Sequence, residues 1–223
     1  MKRIWMIGAA LALAGGVAAG VLYGPDLVDG MHYQKAMAAI GEADKGSGGA
    51  WPQPQETCFF CHGVHGQSQN AWYPSLSGQP ATYIAAQLRA FAADQRRNAY
   101  MGPLSRELDD AKIAALATYF ARQAPARNEP VPADAALDRR GMALVEARSC
   151  RACHGAALTG KDPAPRLAGQ GQLYLETQLT AFRSGERHDP TGAMNGLAAT
   201  LSGDDTRAVA HYLAGLSPDG AAR

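Results

Sequence analysis

Cysteine occurs four times in this 223-residue chain, always within two five-residue runs, Cys58-Phe59-Phe60-Cys61-His62 and Cys150-Arg151-Ala152-Cys153-His154. Two thiols about one helical turn apart can bond the two vinyl groups of a single haem, and the adjoining imidazole then faces the iron. A bare Cys-x-x-Cys would equally suit a redox dithiol or half of a zinc site, but the appended histidine selects haem attachment, and the recurrence strengthens the choice. A disulfide framework is disfavoured, because no cysteine lies outside the motifs and a chain this long buries cores without staples. The expected cofactors are two covalently attached haem c groups. One is held by Cys58, Cys61 and His62, the other by Cys150, Cys153 and His154.

The opposite face of each iron calls for a second ligand. Met101 is the only methionine between Cys61 and Met142, and Met194 the only one after Cys153. Each stands about forty residues past its motif, between two helical segments, so the metal ligands expected are His62 with Met101 and His154 with Met194. Methionine in such a place is often core filler, but matching positions in a repeat argue against that. Among the remaining histidines, His65 follows His62 too closely to reach the far face. His188, six residues before Met194, is the rival for the second iron. His211 reads as a packing or surface residue. Methionine with histidine closes the iron to substrates and raises its potential, which suits electron transfer, whereas an open site would suit a peroxidase. No catalytic residue is assigned.

These ligands need elements to carry them, and the chain supplies the same elements twice, at a period near 92 residues. Pro74-Ser75-Leu76-Ser77-Gly78-Gln79 answers Pro165-Arg166-Leu167-Ala168-Gly169-Gln170. Tyr83, Gln87, Leu88, Phe91 and Arg96 answer Tyr174, Gln178, Leu179, Phe182 and Arg187 at an offset of 91. Met101, Leu104, Leu108 and Tyr119 answer Met194, Leu197, Leu201 and Tyr212 at 93, so two residues are inserted before the second methionine. The apolar spacing is helical throughout and strand signals are nearly absent, which predicts an all-α fold. Closing helices carry Ile113, Leu116 and Phe120 in one half and Val209, Tyr212 and Leu213 in the other, and Ser202-x-x-Asp205 reads as an N-terminal cap. Arg96 and Arg187 are weaker candidates for meeting haem propionates. The expected organisation is a first domain over 25–123, a proline-containing linker over 124–136, a second domain over 137–217 and a tail over 218–223.

Residues 1–24 read as a membrane anchor or a signal peptide. Lys2 and Arg3 precede twenty uncharged residues, Ile4 to Tyr23, longer than the roughly 7–15 of a secretory h-region and about the length that crosses a bilayer. The small residues Val17-Ala18-Ala19 before Gly20 also fit cleavage. If retained, the segment forms one N-terminal transmembrane helix with the haem domains outside, and the stripe Gly8, Ala12, Gly16, Gly20, Gly24 would let another membrane helix approach. A helical stretch from Met31 to Ala43 and a Gly/Pro-punctuated loop containing Trp51 come next. The formal net charge is +1, with hydrophobic residues at 47% and charged ones at 18%, values of a folded globular chain and not of a nucleic-acid binder.

The paired motifs, each followed by Pro-x-Leu-x-Gly-Gln, a Tyr/Gln-Leu/Phe helix and a lone methionine, resemble the dihaem cytochrome c4 family over about residues 31–216. The resemblance implies two tandem class I cytochrome c domains with haem edges near one another, and the carbonyls of Pro74 and Pro165 orienting the proximal histidines. It also implies a place on the periplasmic side of the bacterial inner membrane, shuttling single electrons from a cytochrome bc complex to a terminal oxidase. The loop before Cys58 and the expected anchor at residues 4–23 depart from the family pattern and suggest a tethered carrier, or a subunit held against a membrane complex. The alternatives are a cytochrome subunit of a periplasmic dehydrogenase oxidising sulfide or alcohols, and a dihaem peroxidase.

Overall fold

The helical periodicity is realised in a computed structural model that describes residues 53–220, together with Met31, Gln34, Lys35 and Ala38. Residues 1–52 form a separate unit, in which those four residues are helical and exposed. The expected anchor, its small-residue stripe and the Trp51 loop lie outside the described residues. Among the described residues no helix is long and apolar enough to cross a membrane.

The first half runs through α1 (Glu56–His62), a 3-10 turn (Val64–Gly66), α2 (Ala81–Ala92), α3 (Met101–Arg106) and α4 (Asp110–Ala121). The second runs through α5 (Ala135–Ala147), α6 (Cys150–His154), α7 (Gln172–Ser184), α8 (Ala193–Ala199) and α9 (Gly203–Gly215). No strand occurs among the described residues beyond an isolated bridge between Lys161 and Ala164. Helix α5 begins two residues ahead of the expected boundary at 137, because the Asp134 carboxylate accepts from the N–H groups of Ala136 and Leu137 and starts the helix there.

Each half closes its core with its last helix. Ile84, Leu116, Ala117 and Phe120 pack together in the first, with Cys58, Phe59 and Leu76 against them. Val145, Leu158, Leu175, Leu179, Val209 and Leu213 form the second, with Cys150 and Met194 on its margin. The Pro-x-Leu-x-Gly-Gln segments lock onto these closing helices in the same way. Gly78 N–H donates to Phe120 O and Gly169 N–H to Leu213 O, each at 2.9 Å. Both glycines have φ near +70°, and a Cβ at either would strike Pro125 or Pro218, so the repeated glycine is required twice over.

A second close approach sits where α5 crosses α9. A Cβ on Gly141 would lie 2.2 Å from Ala208 O and 2.5 Å from Tyr212 Cβ, and the obstacle is backbone that cannot rotate away. Gly141→Ala should therefore force the two helices apart and cost about 2 kcal/mol or more, read as a lower denaturation midpoint. The Ser202/Asp205 capping box is present at the start of α9, and Asp205 also accepts from Arg140 on α5. The Ser202 hydroxyl, Arg140 and the Ser202 N–H hold the Asp205 carboxyl down at about 2, from 3.8. A depressed carboxylate contributes stability above its unfolded pKa and loses it as pH falls through the folded one. Asp205→Ala should lower the midpoint fully at neutral pH, with the gap to the parent protein closing between pH 3.8 and about 2.

The two halves are tied by a buried polar seam with near two-fold repetition. The linker takes part: Asn128 donates to the backbone of both halves, through its N–H to Gly169 O at 2.9 Å and through Nδ2 to Tyr73 O at 2.8 Å. Arg166, 1% exposed, sends its guanidinium to Ala168 O and Ser77 O, and burial pulls it down to about 10.

Candidate haem sites

The two motifs occupy equivalent helical turns, α1 and α6. At 100° per residue, Cys58, Cys61 and His62 share one face of α1, Phe59 turns into the core and Phe60 points to solvent, 94% exposed. The same register in α6 groups Cys150, Cys153 and His154. None of the four cysteines is joined in a disulfide. Burial, with a smaller contribution from Cys61, pushes the Cys58 thiol up to about 11, and burial raises Cys150 as well.

Each histidine ring is buried and fixed by one nitrogen. His62 Nδ1 lies 2.8 Å from Pro74 O and His154 Nδ1 lies 2.9 Å from Pro165 O. A carbonyl can only accept, so Nδ1 carries the proton and Nε2 keeps its lone pair. Burial lowers the pKa of both rings, with the carbonyl bonds opposing it, which keeps the imidazoles neutral and ready to ligate. A neutral, pre-oriented imidazole beside two unpaired thiols on one helical turn is a donor set that fits haem c.

The methionines are positioned by a device that the sequence carries but that motif reading passes over. Asn98 Oδ1 accepts from the N–H groups of Tyr100 and Met101 at 3.0 and 2.9 Å, and so starts α3 at Met101. Its counterpart at offset 91, Asp189, accepts from Thr191 Oγ1 and Ala193 N–H and begins α8 one residue before Met194. Asn195 then pins the turn, donating to Phe182 O and Arg187 O at 2.9 and 2.8 Å. A side-chain acceptor at the same repeat position in both halves was the available signal. Met101 and Met194 are both half-buried.

The other histidines are placed elsewhere. His65 sits in the 3-10 turn with φ +56° and bonds Tyr119 Oη through Nδ1 at 2.5 Å. His211 is buried against Gln172 and Asp138, a packing residue. His188 is exposed. Arg96 and Arg187, the suggested propionate partners, stand at the seam, where each bonds a glutamine of its own half and two side chains of the other. Arg96 bonds Gln87, Tyr174 and Gln178, and Arg187 bonds Gln178, Tyr83 and Gln87, all at 2.7–3.2 Å. Each guanidinium also lies over its own half's phenylalanine, Phe91 at 4.6 Å and Phe182 at 4.4 Å. Burial would raise the Tyr174 phenol, but Arg96 and Arg187 overcome it and bring it below its ordinary value.

Two family models match along the chain, one described as "Cytochrome c" over residues 139–217 and one described as "Cytochrome C oxidase, cbb3-type, subunit III" over residues 53–120. With a fixed histidine and a thiol pair in each half, the molecule is a dihaem electron-transfer cytochrome carrying two covalently bound haem c groups. It belongs to the dihaem cytochrome c4-like family. A thiosulfate dehydrogenase electron acceptor from Thiomonas intermedia is 36% identical over 198 residues, 82% of this chain and 91% of that one. Cytochrome c4 from Thiocapsa roseopersicina is 35% identical over 83% of this chain and 98% of its own. The crystal structure of reduced cytochrome c4 from Pseudomonas stutzeri superposes with a TM-score of 0.67 at 32% identity, covering 73% of this chain and 95% of that one.

Proposed function

We propose that the protein is a two-site carrier that accepts single electrons from an oxidoreductase outside the cytoplasmic membrane and delivers them to a terminal oxidase. The observation that carries this reading is the matching of the two sites: each has a neutral buried histidine fixed through Nδ1, and a half-buried methionine set on its own capped helix. Bound there, haem supplies a one-electron iron couple. His62 and His154 would ligate through Nε2, Met101 and Met194 would close the opposite faces, and the four cysteines would hold the group against exchange. Closed iron favours a carrier over a peroxidase.

The donor proposed first is a thiosulfate-oxidising dehydrogenase, which the name of the Thiomonas relative supports. Relatives named cytochrome c4 support a second reading, in which a cytochrome bc complex is the donor. The apolar run over residues 4–23 would hold the carrier on the periplasmic face near either partner. Rapid mixing separates the two donors. The oxidised protein should be reduced within one turnover by a thiosulfate dehydrogenase supplied with thiosulfate, and more slowly by a quinol-fed bc complex. The opposite order would favour the second reading, and steady peroxide turnover would defeat both.

A further inference from the structure

The carbonyls that hold the two histidines do not belong to isolated peptide groups. Pro74 C=O and Ser75 N–H are the two ends of one amide, and so are Pro165 C=O and Arg166 N–H. The N–H end of each is taken by a glutamine from the other half. Ser75 N–H donates to Gln170 Oε1 at 2.8 Å, while Gln170 Nε2 returns a bond to Ser75 O at 3.0 Å. Arg166 N–H donates to Gln79 Oε1 at 2.9 Å, and Gln79 Nε2 returns one to Arg166 O at 2.9 Å. Ser75, Gln79, Arg166 and Gln170 are all at most 4% exposed, so bulk water does not replace these bonds. Gln170 Oε1 also accepts from Gly171 N–H at 3.1 Å, within its own half.

An amide whose N–H is bonded to an acceptor shifts electron density onto its own oxygen and becomes a better acceptor in turn. That oxygen here receives the Nδ1 proton of the histidine. A stronger acceptor makes the imidazole more electron-rich, and an electron-rich ligand favours the oxidised iron. We infer that each half tunes the iron of the other: Gln170 acts on the first site through the Pro74–Ser75 amide and His62, and Gln79 acts on the second through the Pro165–Arg166 amide and His154. Both are positioning residues, two hydrogen bonds removed from the histidine nitrogen. The inference rests on His62 and His154 being the proximal ligands.

The test uses the full-length, haem-loaded protein carrying Gln170→Met or Gln79→Met, each of which removes the acceptor at similar volume. Both potentials are followed separately by redox titration, with each site assigned through its methionine methyl resonance. In Gln170→Met the first site's potential should rise while the second, in the half that carries the substitution, stays put. Gln79→Met should reverse the pattern. If methionine is not tolerated, Gln170→Asn, one methylene short, should raise the same potential by less. A shift at the substituted half's own site, equal shifts at both, or no shift at either with the thioether-to-iron band intact would overturn the inference. Absence of that band from the unaltered protein would instead bring down the ligand assignment, and the inference with it.

Discussion

Replacing both Cys150 and Cys153 with alanine should give a chain with one covalently bound haem, its denatured mass short by one haem and its visible absorbance per chain halved. The two thiols share a face of α6 with His154, and among the described residues no other cysteine is near enough to substitute for them. The first half should keep its haem, since Cys58, Cys61 and His62 sit on α1 and their histidine is held by Pro74 within the same half. Cys150→Ala alone is the informative contrast, because one remaining thioether still retains the group through denaturation. The second half of the double variant should also unfold earlier: Cys150 and Met194 both pack on its core, and a ligand that binds only the folded state stabilises it. Intact mass of the denatured protein checks the first outcome and chemical denaturation the second.

Met194→Ala should turn one closed iron into an open one. The oxidised protein should lose half of its thioether-to-iron band, the second site's potential should fall, and carbon monoxide should bind rapidly to one reduced iron per chain where the parent binds none. The turn around Met194 is independent of the thioether, being built from Asp189, Thr191 and Asn195, so the helix should survive the truncation. His188 provides the control. It is exposed, and His188→Ala should leave band and potential unchanged. A band accounting for only one iron in the parent, unchanged in Met194→Ala, with carbon monoxide binding gained in His188→Ala, would make His188 the ligand.

The haem attachment residues were legible because they are contiguous: two cysteines and a histidine on one turn form a sequence motif as well as a structural one. The methionines were singled out by the repeat, which compares two solutions to the same packing problem. What escaped was everything that works between the halves. Gln79 meets Arg166 across 87 residues and Gln170 meets Ser75 across 95, and each carboxamide bonds backbone, which imposes no identity on its partner. Arg96 and Arg187 belong to the same seam. Near a haem site an arginine reads as an anion partner, and nothing in the sequence shows that the chain also places phenols and carboxamides of the opposite helix within its reach. Helix α2 divides its covered residues, with Ile84 and Phe91 entering the core while Tyr83 and Gln87 turn to the seam. Periodicity reports that a face is covered and not by what. Gly141 shows the same limit, since nothing local marks a glycine needed for the approach of a helix about 67 residues away.

The account stands on two equivalent closed sites, His62 with Met101 and His154 with Met194. Near-infrared magnetic circular dichroism of the oxidised full-length protein, quantified per haem, tests this most directly. The prediction is a thioether-to-iron charge-transfer band of full intensity for both irons, with no high-spin component. A band accounting for one iron, or a high-spin signal from either, would contradict it.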